Sequence, residues 1–247
     1  MTRLDQALVE RGLCDSREKA RRAVLAGLVR VNAQSARKPS DSVRPADALT
    51  LEAGEKYVSR GGHKLEYALE QFRLNIAGLA ALDLGASTGG FTDCLLQHGA
   101  VKVFAVDVGR GQLAWKLRRD PRVVVMERTN ARLLTAAHFP QPFVPADLAV
   151  IDCSFISLRK ILPAAVPLLK PGGQIVALVK PQFEAGKAEA DKGRGVIRDA
   201  AIHERVLEEL RKFVAEQSGL RWRSVVESPL LGPAGNKEFL VLIEKER

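Results

Sequence analysis

From Leu79 onward, short apolar segments alternate with stretches that have helical spacing. These segments predict strands at 80–84, 101–107, 122–127, 147–152, 174–180, 221–227 and 238–244. Segments such as VKVFAVDV and QIVALVK are almost continuously apolar, which is typical of parallel strands that are covered by helices on both faces. The sequence therefore predicts an α/β fold with a doubly wound, mostly parallel, seven-stranded Rossmann-like sheet.

The first 58 residues have a different pattern, which predicts a small α+β domain separate from the sheet. Apolar residues at positions 4, 7 and 8 share one face of a short helix. Asp15 and Glu18 have the spacing of a capping box, which predicts a second helix over 16–25, ended by Gly27. Strands are predicted at 29–31 and 48–51, with a turn at Asn32 after the first of them.

The junction between the two domains is predicted at residues 59–63. Gly61 and Gly62 disfavour a helix there, and helical spacing begins again at Lys64. We therefore expect domains at 1–58 and 59–247. The segment 184–198 is rich in glycine and charge and is predicted to be a loop, either a mobile lid or disordered.

The chain is strongly basic, with 38 Lys and Arg against 29 Asp and Glu, a net charge of +9 and a pI near 9.7. Such a balance favours polyanionic partners, because each cation that meets a phosphate releases a counterion. The first 58 residues contain eleven basic and eight acidic side chains. The excess of basic residues is concentrated around the predicted second helix. A solvated helix face is the alternative interpretation.

Cysteines and histidines do not indicate a metal site or a disulfide framework. The three cysteines and four histidines are scattered, without the spacing of metal ligands. No segment has the roughly 20 apolar residues that cross a bilayer, and the first residues lack the apolar run of a signal peptide. We expect a cytoplasmic protein that binds neither metal nor membrane.

The glycine turn DLGASTGGF follows the first strand of the predicted sheet. In open α/β sheets, ligands bind beyond the carboxyl ends of the strands. Gly85 and Gly89 allow a tight turn close to a ligand, and Asp107 ends the next strand, where a carboxylate can bind both hydroxyls of a ribose. The spacing is a poor match to the G-x-G-x-x-G of dinucleotide sites. Asp83, before the turn, suits the ammonium group of S-adenosylmethionine.

The same turn matches the G-x-S-x-G nucleophile elbow of α/β-hydrolases, with Ser87 as the nucleophile. That chemistry needs a histidine late in the chain. His138 precedes a strand and His203 lies in a predicted helix, so a hydrolase is the less favoured alternative.

Charged side chains stand at the ends of two apolar strands. Asp152 ends DLAVID, and Lys180 ends QIVALVK. Glu238 opens the last strand, and Lys64 lies in the helix that leads into the sheet. Strand ends are where a doubly wound fold gathers its chemistry, although each charge alone is also compatible with an ordinary surface position.

These motifs resemble known families. SREKARRAVLAGLVRVNAQSARKPSDSV, at 16–43, resembles the small RNA-binding module of ribosomal small-subunit protein four, which also occurs in pseudouridine synthases. The four charged residues match, in order and spacing, the Lys-Asp-Lys-Glu tetrad of FtsJ-type ribose 2′-O-methyltransferases. With YVSRGGHKL, DLGASTGGFTDCLL, VKPQFEAG and NKEFLVLI, essentially the whole chain resembles the TlyA family. Members of that family are named haemolysins but methylate ribosomal RNA.

The resemblance implies an S-adenosylmethionine-dependent 2′-O-methyltransferase that acts on ribosomal RNA or ribosomal subunits. It implies that Lys180 is the base for the 2′-hydroxyl, that Asp152 orients Lys180, and that Glu238 orients the ribose or Lys64. Cofactor contacts are expected from Asp83, Gly85, Ala86, Ser87, Gly89, Asp107 and Asn130. RNA contacts are expected from Arg17, Lys19, Arg21, Arg22, Arg30, Lys38 and Arg60.

Within the family, the short chain ends favour a cytidine of large-subunit RNA as the target, and a monomer is assumed. Two further alternatives remain: a ribosome-binding or assembly factor without a catalytic role, and a membrane-active haemolysin. Phe91, Trp115, Phe155 and Phe183 are assigned to the core, although the last two could stack on RNA.

Overall fold

The computed structural model describes residues 1–52 and 54–246, without the side chain of residue 187. Residues form two compact units, Met1–Lys56 and a second unit from Tyr57 onward. The first unit contains helices α1 (Leu4–Glu10) and α2 (Arg17–Leu25) and strands β1 (Thr2–Arg3), β2 (Val29–Val31), β3 (Gln34–Ser35), β4 (Ser42–Val43) and β5 (Leu49–Leu51). Strand β2 pairs antiparallel with β3 and β5, and β1 pairs antiparallel with β4.

The first unit encloses a small core of its own, in which Leu4 and Leu8 of α1 pack with Val24 of α2 and Val29 of β2. The predicted helices and the pairing of residues 29–31 with the later strand are confirmed. The predicted turn at Asn32 is also confirmed, since that residue has a φ of +50°.

The cap of α2 differs from the prediction. Ser16 is the N-cap, and its hydroxyl accepts a hydrogen bond from the backbone N–H of Lys19 at 3.3 Å. Asp15 lies one residue too early for that role, and its carboxylate forms an ion pair with the Lys19 side chain. The predicted Asp15–Glu18 capping box is therefore wrong, because Ser16 satisfies the orphan helix N–H itself.

The second unit is built on the predicted seven-stranded sheet. Its strands are β6 (Ala80–Leu84), β7 (Lys102–Val106), β8 (Val123–Met126), β9 (Ala146–Ile151), β10 (Leu169–Val179), β11 (Leu220–Glu227) and β12 (Phe239–Lys245). Its helices are α3 (Gly61–Gln71), α4 (Gly90–Gln97), α5 (Trp115–Arg118), α6 (Leu158–Ala165), α7 (Pro181–Glu184), α8 (Lys187–Lys192) and α9 (Ala200–Glu216).

The sheet order is β11-β12-β10-β9-β6-β7-β8. Strands β8, β7, β6, β9 and β10 are parallel, and β12 is antiparallel to both of its neighbours. The chain runs outward from β6 through β7 and β8, and then returns to the other side of β6 with β9. The topological switch point thus lies between β6 and β9, where open sheets bind their ligands.

Helices cover both faces of the sheet, which explains why the central strands are apolar throughout. One face packs on α3 and α4, through residues such as Leu65 and Leu95. The other packs on α6 and α9, through residues such as Ile161 and Leu210. Among the described residues no helix is both long and apolar enough to cross a membrane.

Helix α3 begins at Gly61, so the prediction that the paired glycines disfavour a helix is wrong. Tertiary packing overrides their low helix propensity. A Cβ at Gly62 would overlap the ring of Tyr57, which is itself buried. The glycines are therefore used for close approach, and residues 61–63 are part of a helix rather than of a linker.

The segment 184–198 is not a loop throughout, as was predicted. It contains α8, and its far end is tied to the turn before β12. The side chain of Asn236 accepts a hydrogen bond from Ile197 N at 2.9 Å and donates one to the carbonyl oxygen of Gly195 at 2.8 Å. Ile197 is buried.

Candidate active site

Lys180 and Asp152 meet at the carboxyl edge of the sheet, directly after β10 and β9. The Lys180 Nζ atom lies 2.6 Å from Asp152 Oδ1 and donates a hydrogen bond to Ser154 Oγ at 2.9 Å. Parallel neighbouring strands end at the same edge, so two charges at consecutive strand ends become neighbours. The ammonium is thereby held by two partners on one loop.

Lys64 and Glu238 form a second ion pair, with Lys64 Nζ 2.5 Å from Glu238 Oε2. Their side chains are 8% and 1% exposed. In a buried pair of this kind, the attraction between the two charges offsets the free-energy cost of removing them from water. Removal of one partner therefore leaves a costly uncompensated charge. Gly232 provides the space for this carboxylate, because a Cβ there would overlap Glu238 Oε1.

Both ion pairs line one cavity of about 300 Å³. Gly85, Ala86 and Ser87 of the glycine turn line it as well, together with Arg60. The structure therefore brings the four predicted catalytic side chains to one space beside the glycine turn. In that space, charged side chains of both signs can contact a polar substrate.

The glycine turn follows β6 and approaches the end of β9 closely. Gly85 has a φ of +88°, and a Cβ there would lie 2.7 Å from the carbonyl oxygen of Asp152. Gly89 also has a positive φ and is the N-cap of α4. A Cβ at Gly89 would overlap the side chains of Leu117 and Leu113, and Gly89 does not line the cavity. Any contact of Gly89 with a ligand therefore remains a prediction.

Asp83 is fully buried beneath this turn. Its Oδ2 accepts a hydrogen bond from Thr92 Oγ1 at 2.6 Å, whereas its Oδ1 has no hydrogen-bond partner among the described residues. Burial raises the pKa of the Asp83 carboxyl to about 7, and the hydrogen bond from Thr92 opposes that shift. An unsatisfied buried carboxylate oxygen is unusual in a folded protein and is free to accept from a cationic or polar ligand group.

A second cavity of about 450 Å³ adjoins the first and shares Gly85, Ser87 and Asp152 with it. Asp107 and Asn130 line this cavity. The Asp107 carboxylate accepts hydrogen bonds from Ser87 N at 2.8 Å and from Gly109 N at 2.7 Å. These bonds fix its orientation, and each oxygen retains a further lone pair for a ligand hydroxyl.

The hydrolase alternative is not supported by the surroundings of Ser87. Its hydroxyl donates to Gln112 Oε1 at 3.3 Å. His138 bonds to Thr135, and His203 bonds to the carbonyl oxygen of Ile197. Neither of these histidines is hydrogen-bonded to Ser87, so the Ser–His pair that this chemistry needs is not formed by them.

Two aromatic residues that were assigned to the core are exposed. Trp115 is 71% exposed and Phe155 is 90% exposed, whereas Phe91 is buried as expected. Phe155 has a φ of +62° and lines the second cavity, with its ring centroid 5.0 Å from that of Phe183. A bulky residue in the left-handed region is an outlier, and such strain is most often found at functional sites.

The predicted RNA-binding residues of the first unit lie on its surface, but they differ in their partners. Ion pairs join Lys19 to Asp15, Arg30 to Glu52, Arg22 to Glu18 at 4.0 Å, and Arg17 to Asp5 at 3.5 Å. Arg21 and Lys38 are exposed and have no ion-pair partner among residues 1–52 and 54–246. Arg60 is a residue of the second unit.

Three residues near the site were missed by sequence reasoning: Ser154, Glu184 and Asn236. Ser154 could have been suspected because it stands two residues after Asp152 in the same strand-end loop. Glu184 and Asn236 act through contacts far apart in the sequence, and nothing local marks them. No group of three or more possible metal ligands occurs in the described residues.

The sheet order, the reversed strand β12 and the glycine turn at the switch point define a Rossmann-like methyltransferase. Solved S-adenosylmethionine-dependent methyltransferases from Listeria monocytogenes and Mesorhizobium loti, only 15% and 18% identical to this chain, share the fold with TM-scores of 0.52 and 0.50. At such identity the likeness establishes the fold alone.

Residues 57–245 match the FtsJ-like methyltransferase family, and residues 2–49 match the S4 domain. The chain therefore belongs to the FtsJ-like methyltransferases and has an N-terminal S4 domain. It is 50% identical to YqxC of Bacillus subtilis over 240 residues, which cover 97% of this chain and 84% of that protein.

Two further relatives cover almost the whole chain. The 16S/23S rRNA (cytidine-2′-O)-methyltransferase TlyA of Mycobacterium tuberculosis is 47% identical over 247 residues, 99% of this chain and 90% of that one. The structure of a Streptococcus thermophilus protein that bears the name hemolysin is 46% identical, with a TM-score of 0.74, and the match covers 99% of this chain and 88% of that one. These findings confirm the predicted family and fold.

Proposed function

We propose that this enzyme transfers a methyl group from S-adenosylmethionine to the 2′-hydroxyl of a cytidine in ribosomal RNA. The observation that supports this most strongly is the meeting of two ion pairs, Lys180–Asp152 and Lys64–Glu238, in one cavity beside the glycine turn. The name of the Mycobacterium tuberculosis relative supports the nucleotide and the position. A large-subunit cytidine stays our prediction, and both subunits belong in the test.

The residues present fit the cofactor. Asp83 offers a buried carboxylate oxygen without a partner, and the Gly85 turn leaves no room for a Cβ. Asp107 would hold the ribose hydroxyls, and Asn130 would contact the adenine edge from the second cavity. Ala86, Ser87 and Gly89 shape the turn between them. When bound, S-adenosylmethionine supplies an electrophilic methyl group.

The first cavity would hold the substrate ribose. The donor is already activated, so the protein must mainly position the reactants and remove one proton. Lys180, in its neutral form, accepts the proton of the 2′-hydroxyl, while Asp152 and Ser154 fix the direction of its amine. Glu238 and Lys64 orient the ribose from the other side of the cavity, and Arg60 contacts a neighbouring phosphate.

Phe155 borders the second cavity but is 90% exposed, and its exposed ring would stack on the target base. Sequence-specific recognition of RNA commonly uses unstacked bases that lie on aromatic side chains. Phe183 lies behind Phe155, and Lys180 Nζ is 6.0 Å from the Phe183 ring centroid. The base platform and the general base are thus parts of one small region.

The test is methyl transfer from radiolabelled S-adenosylmethionine to both ribosomal subunits and to free ribosomal RNA, with the label located by nucleoside analysis. Lys180→Ala should lower kcat by roughly 10²–10⁴-fold, the range for a general base, with cofactor affinity retained. Lys170→Ala is the matched control, because Lys170 pairs with Asp147 at 2.5 Å at the opposite end of the same two strands.

Label at a cytidine 2′-hydroxyl, lost in Lys180→Ala and retained in Lys170→Ala, is the expected result. Equal labelling by both variants would remove Lys180 from the mechanism. Cofactor binding without label on any subunit or RNA would overturn the proposed substrate and favour a non-catalytic ribosome-binding role.

A further inference from the structure

The Glu184 carboxylate joins the two loops that leave β9 and β10. Its Oε2 accepts a hydrogen bond from Ser157 Oγ at 2.6 Å, and its Oε1 accepts one from Leu158 N at 2.7 Å. These partners are 27 and 26 residues away in the sequence. Glu184 ends α7, and Leu158 begins α6.

Each loop holds part of the proposed site. The loop after β9 contains Asp152, Ser154 and the exposed Phe155, and it ends at Ser157. The loop after β10 begins with Lys180 and continues through Phe183 to Glu184. The two loops are already joined by three contacts: Lys180 with Asp152 at 2.6 Å, Lys180 with Ser154 at 2.9 Å, and the two phenylalanine rings at 5.0 Å. The Glu184 hydrogen bonds join the same two loops at their far ends, where the first loop reaches Ser157 and the second reaches Glu184.

The bonds of Glu184 leave little freedom. The Ser157 hydroxyl donates to Glu184 while its oxygen accepts from Arg159 N at 3.2 Å, so both functions of the hydroxyl are used. Helix α7 is a single turn in which Phe183 N donates to the carbonyl oxygen of Lys180 at 2.8 Å. A shift of Glu184 would therefore move Lys180 as well.

Burial of the Glu184 carboxylate is unfavourable unless its hydrogen bonds are formed. Burial raises the pKa of the Glu184 carboxyl, and the hydrogen bonds from Ser157 and Leu158 oppose the shift. It also lies at the N-terminus of α6, where the helix dipole favours negative charge. Glu184 is thus fixed by local bonds and a helix end, outside the four side chains assigned to the reaction.

We propose that Glu184 is a positioning residue, which sets the distance between Lys180 and the Phe155 platform. The inference rests on the proposed function, because the ribose of the target nucleotide would meet Lys180 while its base stacks on Phe155. Phe155 keeps an unfavourable backbone conformation, which the surrounding structure must enforce. The Glu184 bonds to Ser157 and Leu158 supply that constraint at the end of the loop.

The experiment measures kcat, KM for the ribosomal substrate and Kd for S-adenosylmethionine in Glu184→Ala and Glu184→Gln. Glu184→Ala should lower kcat by roughly ten- to a hundredfold, since a misplacement of about 1 Å has that effect on positioned reactants, with cofactor Kd unchanged. Glu184→Gln should stay within about threefold of the wild type, because the amide can bond both Leu158 N and Ser157 Oγ.

Glu209→Ala is the matched control. Glu209 contacts the same helix α6 through Arg159 at 3.0 Å, but from an exposed position, so its removal should leave kcat unchanged. If Glu184→Ala does not fold, Ser157→Ala removes the shorter of the two bonds and should lower kcat by at least threefold.

A double-mutant cycle with Phe155→Ala tests the link between platform and base. Effects of residues that act through one structure are non-additive, so Phe155→Ala should cost much less in the Glu184→Ala background. Additive effects within about twofold, or equal kcat losses in Glu184→Ala and Glu184→Gln, would overturn the inference. A wild type that labels no ribosomal RNA would instead overturn the proposed function and leave the Glu184 contacts as they are.

Discussion

At the scale of single residues, Asp83 has the clearest measurable consequence. Its carboxyl has a pKa of about 7 in the folded protein against an ordinary 3.8, first because of burial. The folded protein therefore holds a proton that the unfolded chain releases above about pH 4. This proton stabilises the fold fully below about pH 4, and the stabilisation is lost as the pH rises through about 7.

The unfolding free energy of the wild type should accordingly decrease between pH 4 and pH 7, by an amount of the order of 2–4 kcal/mol. Asp83→Asn should abolish this decrease. Tryptophan fluorescence during denaturant unfolding measures it for the second unit alone, since Trp115 and Trp222 both lie there. Asp120→Asn is the control: Arg122 lowers the pKa of that carboxyl, so the decrease should persist. An unchanged pH dependence in Asp83→Asn would contradict a neutral buried Asp83.

Residues whose role follows from a strand end were predictable, and residues whose role follows from tertiary contacts were not. Asp152 and Lys180 end apolar strands, and parallel strands end at one edge, so their meeting could be expected from the sequence. Phe155 was assigned to the core because phenylalanine is usually buried. Only its positive φ and its exposure distinguish it, and neither property has a local sequence signal.

At the scale of elements, the strands of the sheet were predicted within a few residues because apolar runs bounded by turns define them. The start of β10 is an exception: the strand begins at Leu169, before Pro171 and two glycines. Pairing with the start of β9 extends it there, with a register irregularity between Leu169 and Gln174. Helix α3 was misjudged at its start for a similar reason, since packing on Tyr57 outweighs glycine propensity.

The Asn236 side chain holds the turn before β12 to the segment after α8. Asn236→Ala should lower the unfolding free energy by about 1–3 kcal/mol, because it leaves the backbone N–H of the buried Ile197 unpaired and removes the bond to the Gly195 carbonyl oxygen. It should also speed tryptic cleavage at the exposed Arg194 and Arg198. Asn75→Ala, which removes a bond to Ala77 N at an exposed position, should do neither. Resistance to trypsin equal to that of the wild type would show that the segment is held by other contacts.

At the scale of the whole molecule, the net charge of +9 and the S4 domain point to the same kind of partner. The surface of α2 shows how that charge is distributed. Arg21 is unpaired among the described residues, and Arg22 is held only loosely by Glu18, at 4.0 Å. Paired cations such as Lys19 must give up a partner before they meet a phosphate, so Arg21 and Arg22 are the most available cations of this helix.

Replacing Arg21 and Arg22 together by Ala should therefore weaken RNA binding and flatten its salt dependence. Each phosphate contact contributes roughly 0.7–0.9 to the slope of log K against log salt, so the slope should fall by about 1–2 while cofactor affinity stays unchanged. The matched control replaces Arg221 and Arg223 of edge strand β11, which pair with Glu246 and Glu244. It makes the same change in net charge. A slope that falls equally in both variants would mean that overall charge, rather than the surface of α2, determines RNA affinity.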